Sequence, residues 1–232
     1  MSMRIAVVTG GTRGIGVAVA DRLAREGFRV IVAARRAVDV RHEFRVCDVT
    51  DAASVRVLFG ALPRVDALVN CAGLAGANAL DGDDAMWHAI VAANLHGTYY
   101  CCKAALPLLP DGSGRIVNIA SVLGLRGVAD QTAYCAAKHG VVGLTRALAL
   151  AVAARGITVN AVCPGWVDTD MARQRFAELG TSAEAIAAGV PTGRIVTPEE
   201  VAGVVAWLLR AEAGSVTGVA LPIEGGALVA AP

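Results

Sequence analysis

The sequence predicts an α/β fold: a doubly wound, Rossmann-type parallel sheet of about seven strands, with helices on both faces. Short runs rich in Val and Ile alternate with longer segments rich in Ala and Leu along the 232 residues. Several short runs are apolar at consecutive positions, which is typical of parallel strands buried on both faces. No linker or internal repeat divides the chain. Residues 1–232 are therefore predicted to form a single domain.

Seven runs are predicted as strands: residues 4–9, 29–33, 43–47, 67–70, 115–119, 158–162 and 219–223. Five segments are predicted as helices: residues 14–26, 52–61, 83–109, 132–154 and 198–210. About nine residues, 34–42, connect the second and third strands, which is short for a crossover helix. A vestigial helix or a loop is expected in this connection.

The composition argues against several classes of protein. The 21 Lys and Arg residues balance 20 Asp and Glu, so we expect no nucleic-acid partner. Arg146 interrupts the longest apolar run, residues 140–154, so we expect no membrane span. The six cysteines form no CxxC pair and have no His at metal-ligand spacing, so no metal site is predicted. With no signal-peptide pattern at the start, we expect a cytoplasmic protein with reduced thiols.

The first strand leads into a glycine turn, residues 9–16 with the sequence TGGTRGIG, just before an amphipathic helix. Gly10, Gly14 and Gly16 follow a GxxxGxG spacing. Glycines let the backbone turn sharply and approach a pyrophosphate, which the free N–H groups of a helix N-terminus can bind. This context predicts a dinucleotide site.

The end of the second strand indicates which dinucleotide is bound. Ala34 stands where an acidic residue would bind the ribose of NAD, and Arg35 and Arg36 follow it. Arg13 in the glycine turn adds a third guanidinium group. Guanidinium groups suit a 2′-phosphate, so NADP(H) is predicted. A solvated basic loop without a ligand is the alternative.

A candidate proton-transfer pair lies further along the chain. Tyr134 and Lys138 are four residues apart, so on a helix they share one face. A nearby cation favours the phenolate, so we expect Lys138 to lower the Tyr134 pKa. The spacing alone also fits a solvated surface pair. Ser121 at the end of the fifth strand and Asn94 in the long preceding helix favour a catalytic site, since parallel strands bind ligands at their carboxyl ends.

These motifs together resemble the short-chain dehydrogenase/reductase family over essentially the whole chain. The matches are residues 9–16, Asp48 in CDVTD, residues 70–73 (NCAG), Asn94, Ser121, Tyr134-x-x-x-Lys138 and residues 164–169 (PGWVDT). Residues 132–171 are most similar to 3-oxoacyl-carrier-protein reductases and bacterial polyketide ketoreductases.

The resemblance implies a catalytic role for four residues. Tyr134 would be the general acid in reduction, and Ser121 would hydrogen-bond the substrate oxygen. Lys138 would lower the Tyr134 pKa and bind the nicotinamide ribose. Asn94 would hold a water that links Lys138 to solvent.

The resemblance also implies the cofactor site. Its expected residues are Gly10, Thr12, Arg13, Gly14, Ile15, Gly16, Arg35, Arg36, Asp48, Val49, Asn70, Ala72, Gly73, Tyr134, Lys138, Pro164, Gly165, Val167 and Thr169. Of these, Asp48 and Val49 would meet the adenine, and the segment that begins at Pro164 would pack on the nicotinamide.

Residues 171–195 resemble the family's variable substrate lid. Apolar residues there and after Ser121 indicate a pocket for a small ketone or alcohol, or for an acyl thioester. The resemblance makes an acyl carrier protein a candidate partner, with Arg173 as one basic contact, and implies a homotetramer. The helix over residues 141–154 is apolar nearly all round, so we expect a partner subunit to cover it.

The leading hypothesis is an NADP(H)-dependent ketoreductase. One alternative is an NAD(H)-linked secondary alcohol dehydrogenase, and another is a non-catalytic dinucleotide-binding regulator on the same fold. The set of Asn94, Ser121, Tyr134 and Lys138 argues against a regulator, since a sensor needs only the cofactor contacts.

Overall fold

The computed structural model describes residues 3–36, 40–78, 80 and 84–230. Seven parallel strands form one sheet in the order β3-β2-β1-β4-β5-β6-β7. The strands are β1 Ile5–Thr9, β2 Arg29–Ala34, β3 Glu43–Val46, β4 Ala67–Asn70, β5 Arg115–Ile119, β6 Thr158–Pro164 and β7 Ala220–Ile223. The prediction of a doubly wound parallel sheet is confirmed. Strand order reverses between β1 and β4, which opens a crevice at the carboxyl ends of these strands.

Eight α-helices pack around the sheet in the described residues. They are α1 Gly14–Arg25, α2 Ala52–Gly60, α3 Asp84–Val91, α4 Gly97–Ala105, α5 Thr132–Val152, α6 Asp170–Glu178, α7 Ala183–Ala188 and α8 Pro198–Leu208. The prediction of a single helix over residues 83–109 is wrong in one respect, because this region is divided into several elements. A π turn, Ala92–His96, separates α3 from α4, and a 3-10 turn, Leu106–Leu108, follows α4. The predicted first residue, Asp83, lies outside the described residues.

Alternate residues of each strand build two separate cores. In β1, Val8 faces the helices α1 and α8, where it joins Leu23 and Val205. Its neighbour Val7 faces the opposite side, where it joins Phe59 of α2 and residues of α4 and α5. Because both faces are covered, the central strands carry apolar residues at consecutive positions. This two-sided burial is why the strands could be predicted from the sequence.

The connection between β2 and β3 contains no helix in its described residues, 34–36 and 40–42. Residues 37–39 of the predicted vestigial helix or loop lie outside the described residues. His42 ends the connection with an Nε2 contact of 2.7 Å to the carboxylate of Asp21 on α1. Val46 on the edge strand is 69% exposed. The described part of the connection therefore fits the loop alternative.

Helix α5 is long and apolar enough, by length and composition, to cross a membrane. It packs instead against β6 and the π turn, and it buries Val141, Val142 and Thr145. The core helix of such a sheet passes the same test of length and composition. Its outer face stays open in the single chain, where Leu150 is 81% exposed.

Candidate active site

A cleft of about 1120 Å³ lies at the carboxyl ends of the strands. Its walls come from the glycine turn, from the ends of β2, β4, β5 and β6, and from α6 and the segment after it. The predicted residues that line it are Gly10, Thr12, Arg13, Gly14, Ile15, Gly16, Arg35, Arg36, Asp48, Val49, Ala72, Gly73, Asn94, Ser121, Tyr134, Lys138, Pro164, Gly165, Val167 and Thr169. The structure thus brings together all but one of the residues assigned to the cofactor and to catalysis.

Asn70 is the exception, because its side chain does not line the cleft. It is buried, and its Nδ2 donates to Asn118 Oδ1 at 2.9 Å and to Cys102 Sγ at 3.3 Å. Asn118 Nδ2 in turn donates to Thr145 Oγ1 of α5 at 2.9 Å. The Asn70 side chain therefore ties β4 to β5, and the predicted contact of Asn70 with the cofactor stays a prediction. Its neighbour Cys71 lines the cleft.

The glycine turn is shaped so that a phosphorylated ligand can approach its backbone. Gly10 has φ +65°, and a Cβ there would lie 2.7 Å from the Cα of Ala72. A Cβ on Gly16 would lie 2.2 Å from the carbonyl oxygen of Gly10. Arg13, the N-cap of α1, makes no side-chain capping bond, so no cap occupies the first N–H groups of the helix. These donors and this cradle fit a pyrophosphate.

The adenosine end of the cleft lies between β2 and the segment after β3. Arg35 and Arg36 are exposed and line the cleft directly after β2. Across from them, the Asp48 carboxylate accepts bonds from the Thr50 N–H at 2.9 Å and the Thr50 hydroxyl at 2.8 Å. Two cations at one wall of the adenosine end fit a ligand that carries a phosphate there.

Tyr134, Ser121 and Lys138 meet in the middle of the cleft. Ser121 lies two residues beyond β5 in extended backbone, and its side chain hydrogen-bonds the Tyr134 hydroxyl. Lys138, one turn after Tyr134 on α5, is buried, and its Nζ lies 5.4 Å from the centre of the Tyr134 ring. The same Nζ donates to the carbonyl of Ile119 at 2.8 Å. A hydroxyl, a phenol and an ammonium thus share one pocket.

The Tyr134 pKa differs from the expectation. Burial raises it to about 12, and the hydrogen bond from Ser121 opposes this shift only in part. Burial also lowers the Lys138 pKa to about 8. The ammonium lies over the face of the ring, and desolvation outweighs any gain for the phenolate. In the cofactor-free chain, burial therefore outweighs the lowering of the Tyr134 pKa that was expected from Lys138, and that role of Lys138 stays a prediction.

The π turn places Asn94 beside Lys138. In this turn the Gly97 N–H bonds the carbonyl of Ala92, five residues earlier. The Asn94 Nδ2 donates to the carbonyls of Ile90 at 2.8 Å and Leu74 at 2.6 Å, while its buried Oδ1 has no partner among the described residues. A Cβ built on Gly73 would lie 2.6 Å from that Oδ1 and 3.8 Å from Lys138 Nζ. Gly73 therefore keeps open the space between amide oxygen and ammonium.

The substrate end of the cleft is apolar with a few charges. Its apolar lining is Leu123, Val128, Trp166, Met171, Leu179, Val190 and Leu228. Charged residues that also line it are Arg126, Asp130, Arg175, Arg194 and Glu224. Residue type alone did not single out Trp166, although it stands inside the PGWVDT motif. Leu228 and Glu224, near the end of the chain, belong to no motif that could have revealed them.

The predicted lid, residues 171–195, contains two short helices that the pattern did not predict. Phe176 of α6 faces away from the cleft and packs on Trp166, with ring centres 5.0 Å apart. Arg173 also lies outside the cleft lining, where it pairs with Asp168 and, at 2.8 Å, with Asp170. Arg173 is therefore already paired with two carboxylates, which weakens the case for it as a carrier contact.

A doubly wound sheet, a glycine cradle at a helix N-terminus and a Ser–Tyr–Lys group in the cleft define a dinucleotide-binding oxidoreductase. Residues 10–227 match a protein-family model described as enoyl-(acyl carrier protein) reductase. Together with relatives of about 40% identity over nearly the full length, this match shows that the chain belongs to the short-chain dehydrogenase/reductase family. Members of this family bind a nicotinamide cofactor and act on small carbonyl or alcohol substrates.

Three relatives illustrate the likeness. The 3-oxoacyl-(acyl-carrier-protein) reductase FabG of Haemophilus influenzae is 40% identical over 241 residues, which cover 97% of this chain and 98% of that protein. A variant of actinorhodin polyketide ketoreductase, solved with NADPH, is 40% identical, with a TM-score of 0.90 and 98% coverage of both chains. The aldohexose dehydrogenase of Thermoplasma acidophilum is 32% identical, with a TM-score of 0.94 and coverage of 99% and 96%.

Proposed function

We propose that this oxidoreductase is an NADP(H)-dependent ketoreductase that reduces a 3-oxoacyl thioester, a polyketide or a related ketone to a secondary alcohol. The observation that carries the proposal is the group of Tyr134, Ser121 and Lys138 between the glycine cradle and the apolar end of the cleft. The ketoacyl and polyketide reductases among the relatives support the substrate class.

The residues of the chain account for the proton steps. Bound dihydronicotinamide supplies the hydride to the carbonyl carbon. Ser121 holds the carbonyl oxygen, and Tyr134 gives its phenolic proton to that oxygen as negative charge develops there. Because burial raises the Tyr134 pKa to about 12, the phenol stays protonated at neutral pH and is ready to donate. Oxidation would need the phenolate instead and is therefore expected to require a higher pH.

After this transfer, a proton from solvent would return to Tyr134 through Lys138 and a water held by Asn94. The space beside Gly73 lies between the free Oδ1 of Asn94 and the ammonium of Lys138. A water in that space would have an acceptor on one side and a donor on the other. Lys138 would also hold the ribose hydroxyls of the cofactor.

The choice of NADP(H) is tested through Arg35 and Arg36. We expect the double change Arg35→Ala with Arg36→Ala to weaken NADPH binding by roughly 10- to 100-fold, because each charge-assisted bond to a phosphate contributes on the order of 1.5 kcal/mol or more. NADH binding should stay within about twofold. Fluorescence titration measures both dissociation constants. Arg41→Ala is the matched control, since Arg41 is exposed and lies outside the cleft lining.

The reaction is tested by following NADPH oxidation across a panel of ketones and 3-oxoacyl thioesters, free and carried on an acyl carrier protein. Turnover of the 3-oxoacyl group is the expected result. A clear preference of the wild-type chain for NADH and secondary alcohols would instead favour the alcohol dehydrogenase. Tight NADPH binding without turnover on any substrate would favour the regulator.

The proposal includes a homotetramer. Its support is the outer face of α5, where Leu150 is exposed, together with the exposed Tyr99 of α4. An apolar helix face of this kind is stable when a second subunit covers it. Sedimentation velocity on the wild-type chain should give a tetramer, and Leu150→Lys should shift it to smaller species.

A further inference from the structure

One charged side chain of the lid is buried although the reaction described above does not use it. Arg175 lies on α6, and its side chain is only 11% exposed. Its Nη1 donates to Glu178 at 2.9 Å, and its Nη2 donates to the carboxylate of Asp130. Its Nε is buried without a partner among the described residues. A buried guanidinium of this kind depends on the carboxylates it has, because loss of one leaves a charge poorly compensated.

The two partners of Arg175 differ in what they connect. Glu178 belongs to the same helix, three residues along, so that pair holds nothing across the cleft. Asp130 belongs to the segment between Ser121 and Tyr134, 45 residues earlier in the chain. The pair with Asp130 therefore joins the lid to the segment that carries the proton-donating residues.

Asp130 stands at the start of the catalytic helix. The N-cap of α5, Gln131, makes no side-chain capping bond. Asn78 closes this helix end instead: its Oδ1 accepts from the Thr132 hydroxyl at 2.7 Å and the Ala133 N–H at 3.3 Å. Its backbone N–H donates to the Asp130 carbonyl at 2.8 Å. The start of α5 is thus held from one side by Asn78 and from the lid by Arg175.

We propose that Arg175 is a positioning residue that couples the lid to the first turn of α5, and so to Tyr134. The proposal rests on the carbonyl reduction proposed above. When α6 lies against the cleft, the Arg175–Asp130 pair fixes the end of the segment that begins at Ser121. When α6 moves away, the pair breaks, and the first turn of α5 loses one of its two supports. Closure of the lid over a substrate would then also align the Tyr134 phenol for proton transfer.

Steady-state kinetics with Arg175→Leu, Asp130→Asn and the double variant test the coupling. We expect each single variant to lower kcat by about tenfold, because small misplacement of a catalytic group is costly. The double variant should be no slower than either single variant, since both remove the same contact. Glu184→Gln, which removes an exposed carboxylate from α7 of the lid, is the matched control and should stay within about twofold. Arg175→Lys should restore part of the lost rate. Independent effects that multiply in the double variant would overturn the proposal.

Hydrogen–deuterium exchange on the full chain gives a readout that needs no substrate. In Arg175→Leu we expect faster exchange in α6 and also at residues 131–136. Faster exchange in α6 alone would mean that Arg175 only packs the lid, which contradicts the coupling. If Arg175→Leu unfolds, the half-exposed Asp130 carries the same test through Asp130→Asn. A wild-type chain that reduces no ketone would refute the proposed function, while the exchange pattern would still decide the coupling.

Discussion

The two halves of the cleft are built in different ways. In the cofactor half, main-chain segments pack directly against each other, so a Cβ on Gly10 or Gly16 would fall within 3 Å of main-chain atoms. At the lid half, side chains make the contacts, as in the Arg175–Asp130 pair and the packing of Phe176 on Trp166. A main-chain cradle tolerates almost no substitution, whereas side-chain contacts can be exchanged. Substitutions in the lid half are therefore expected to be tolerated more readily than substitutions in the cradle.

The largest effect is expected where the halves meet. Tyr134→Phe removes the proton donor and keeps the ring, so kcat for reduction should fall by about 10³-fold, within the usual range for a general acid. NADPH binding should persist, because the cradle is untouched. Tyr99→Phe, on the exposed face of α4, is the control and should retain full activity. A Tyr134→Phe variant with more than a tenth of the wild-type rate would remove Tyr134 from the mechanism.

The rigidity of the cofactor half is tested by Gly16→Ala. The new Cβ would lie 2.2 Å from the Gly10 carbonyl oxygen, so the turn must deform. We expect a loss of roughly 3 kcal/mol in stability or more, as in overpacked cores, and NADPH binding at least tenfold weaker. Gly60→Ala is the matched control, because no described atom outside its own helix and its chain neighbours lies within 4 Å of a Cβ there. Thermal unfolding measures the stability of each variant, and fluorescence titration measures its NADPH binding. Equal stability and equal NADPH affinity of the two variants would contradict a main-chain cradle.

Buried charge between the halves should make stability depend on pH. Burial lowers the Lys138 pKa to about 8 from an ordinary value of 10.5. Between these values the unfolded chain holds a proton that the folded chain lacks, so this group makes the wild type more stable as pH rises. Lys138→Met should therefore be more stable than the wild type at pH 7, by up to about 3 kcal/mol, and the difference should shrink by pH 10.

Chemical unfolding of the two proteins at both pH values measures this difference. The control is Lys103→Met, which removes an exposed lysine from α4 and should give no such pH dependence. If the difference in unfolding free energy between Lys138→Met and the wild type is the same at both pH values, burial does not shift the Lys138 pKa.

The smallest effect compares two helix caps, one in each region. Asp51 caps α2, a helix that packs on the sheet, and accepts from the Ala53 N–H at 2.8 Å. Ser182 caps α7 in the lid and accepts from the Ala185 N–H at 3.2 Å. Asp51→Ala should lower the free energy of unfolding by about 1 kcal/mol. Ser182→Ala should leave global stability unchanged and speed exchange within α7 only. Equal global losses would mean that the lid unfolds together with the core.

Structural features that depend on neighbouring residues in the sequence could be predicted. Two-sided burial makes the strands read as apolar runs, and close main-chain approach demands glycine, so the sheet and the cradle could both be predicted. The pairing of Ser121, Tyr134 and Lys138 followed from strand ends and helical spacing. These features depend on neighbours in the sequence or on one rule of parallel sheets.

Other features depend on contacts between distant residues, which no local pattern shows. Asn70 was assigned to the cofactor, yet its side chain bonds Asn118 on the next strand. The lid helices α6 and α7 are only 9 and 6 residues long, too short for a clear helical periodicity in the sequence. The Tyr134 pKa is set by desolvation, which a spacing of four residues does not reveal.

The π turn at Asn94 makes the site depend on the number of residues in a helix as well as on their identity. Such a turn amounts to one extra residue in an α-helix. Removal of a single residue from Ala92–His96 would restore regular winding while α3 and α4 keep their faces, because the wide turn itself absorbs the extra residue. Only the residues within the turn, Asn94 among them, would change direction. Asn94 would then leave Lys138 although no functional residue had been replaced. Alanine scanning cannot detect this dependence, whereas a scan of single deletions through α3 and α4 would reveal it.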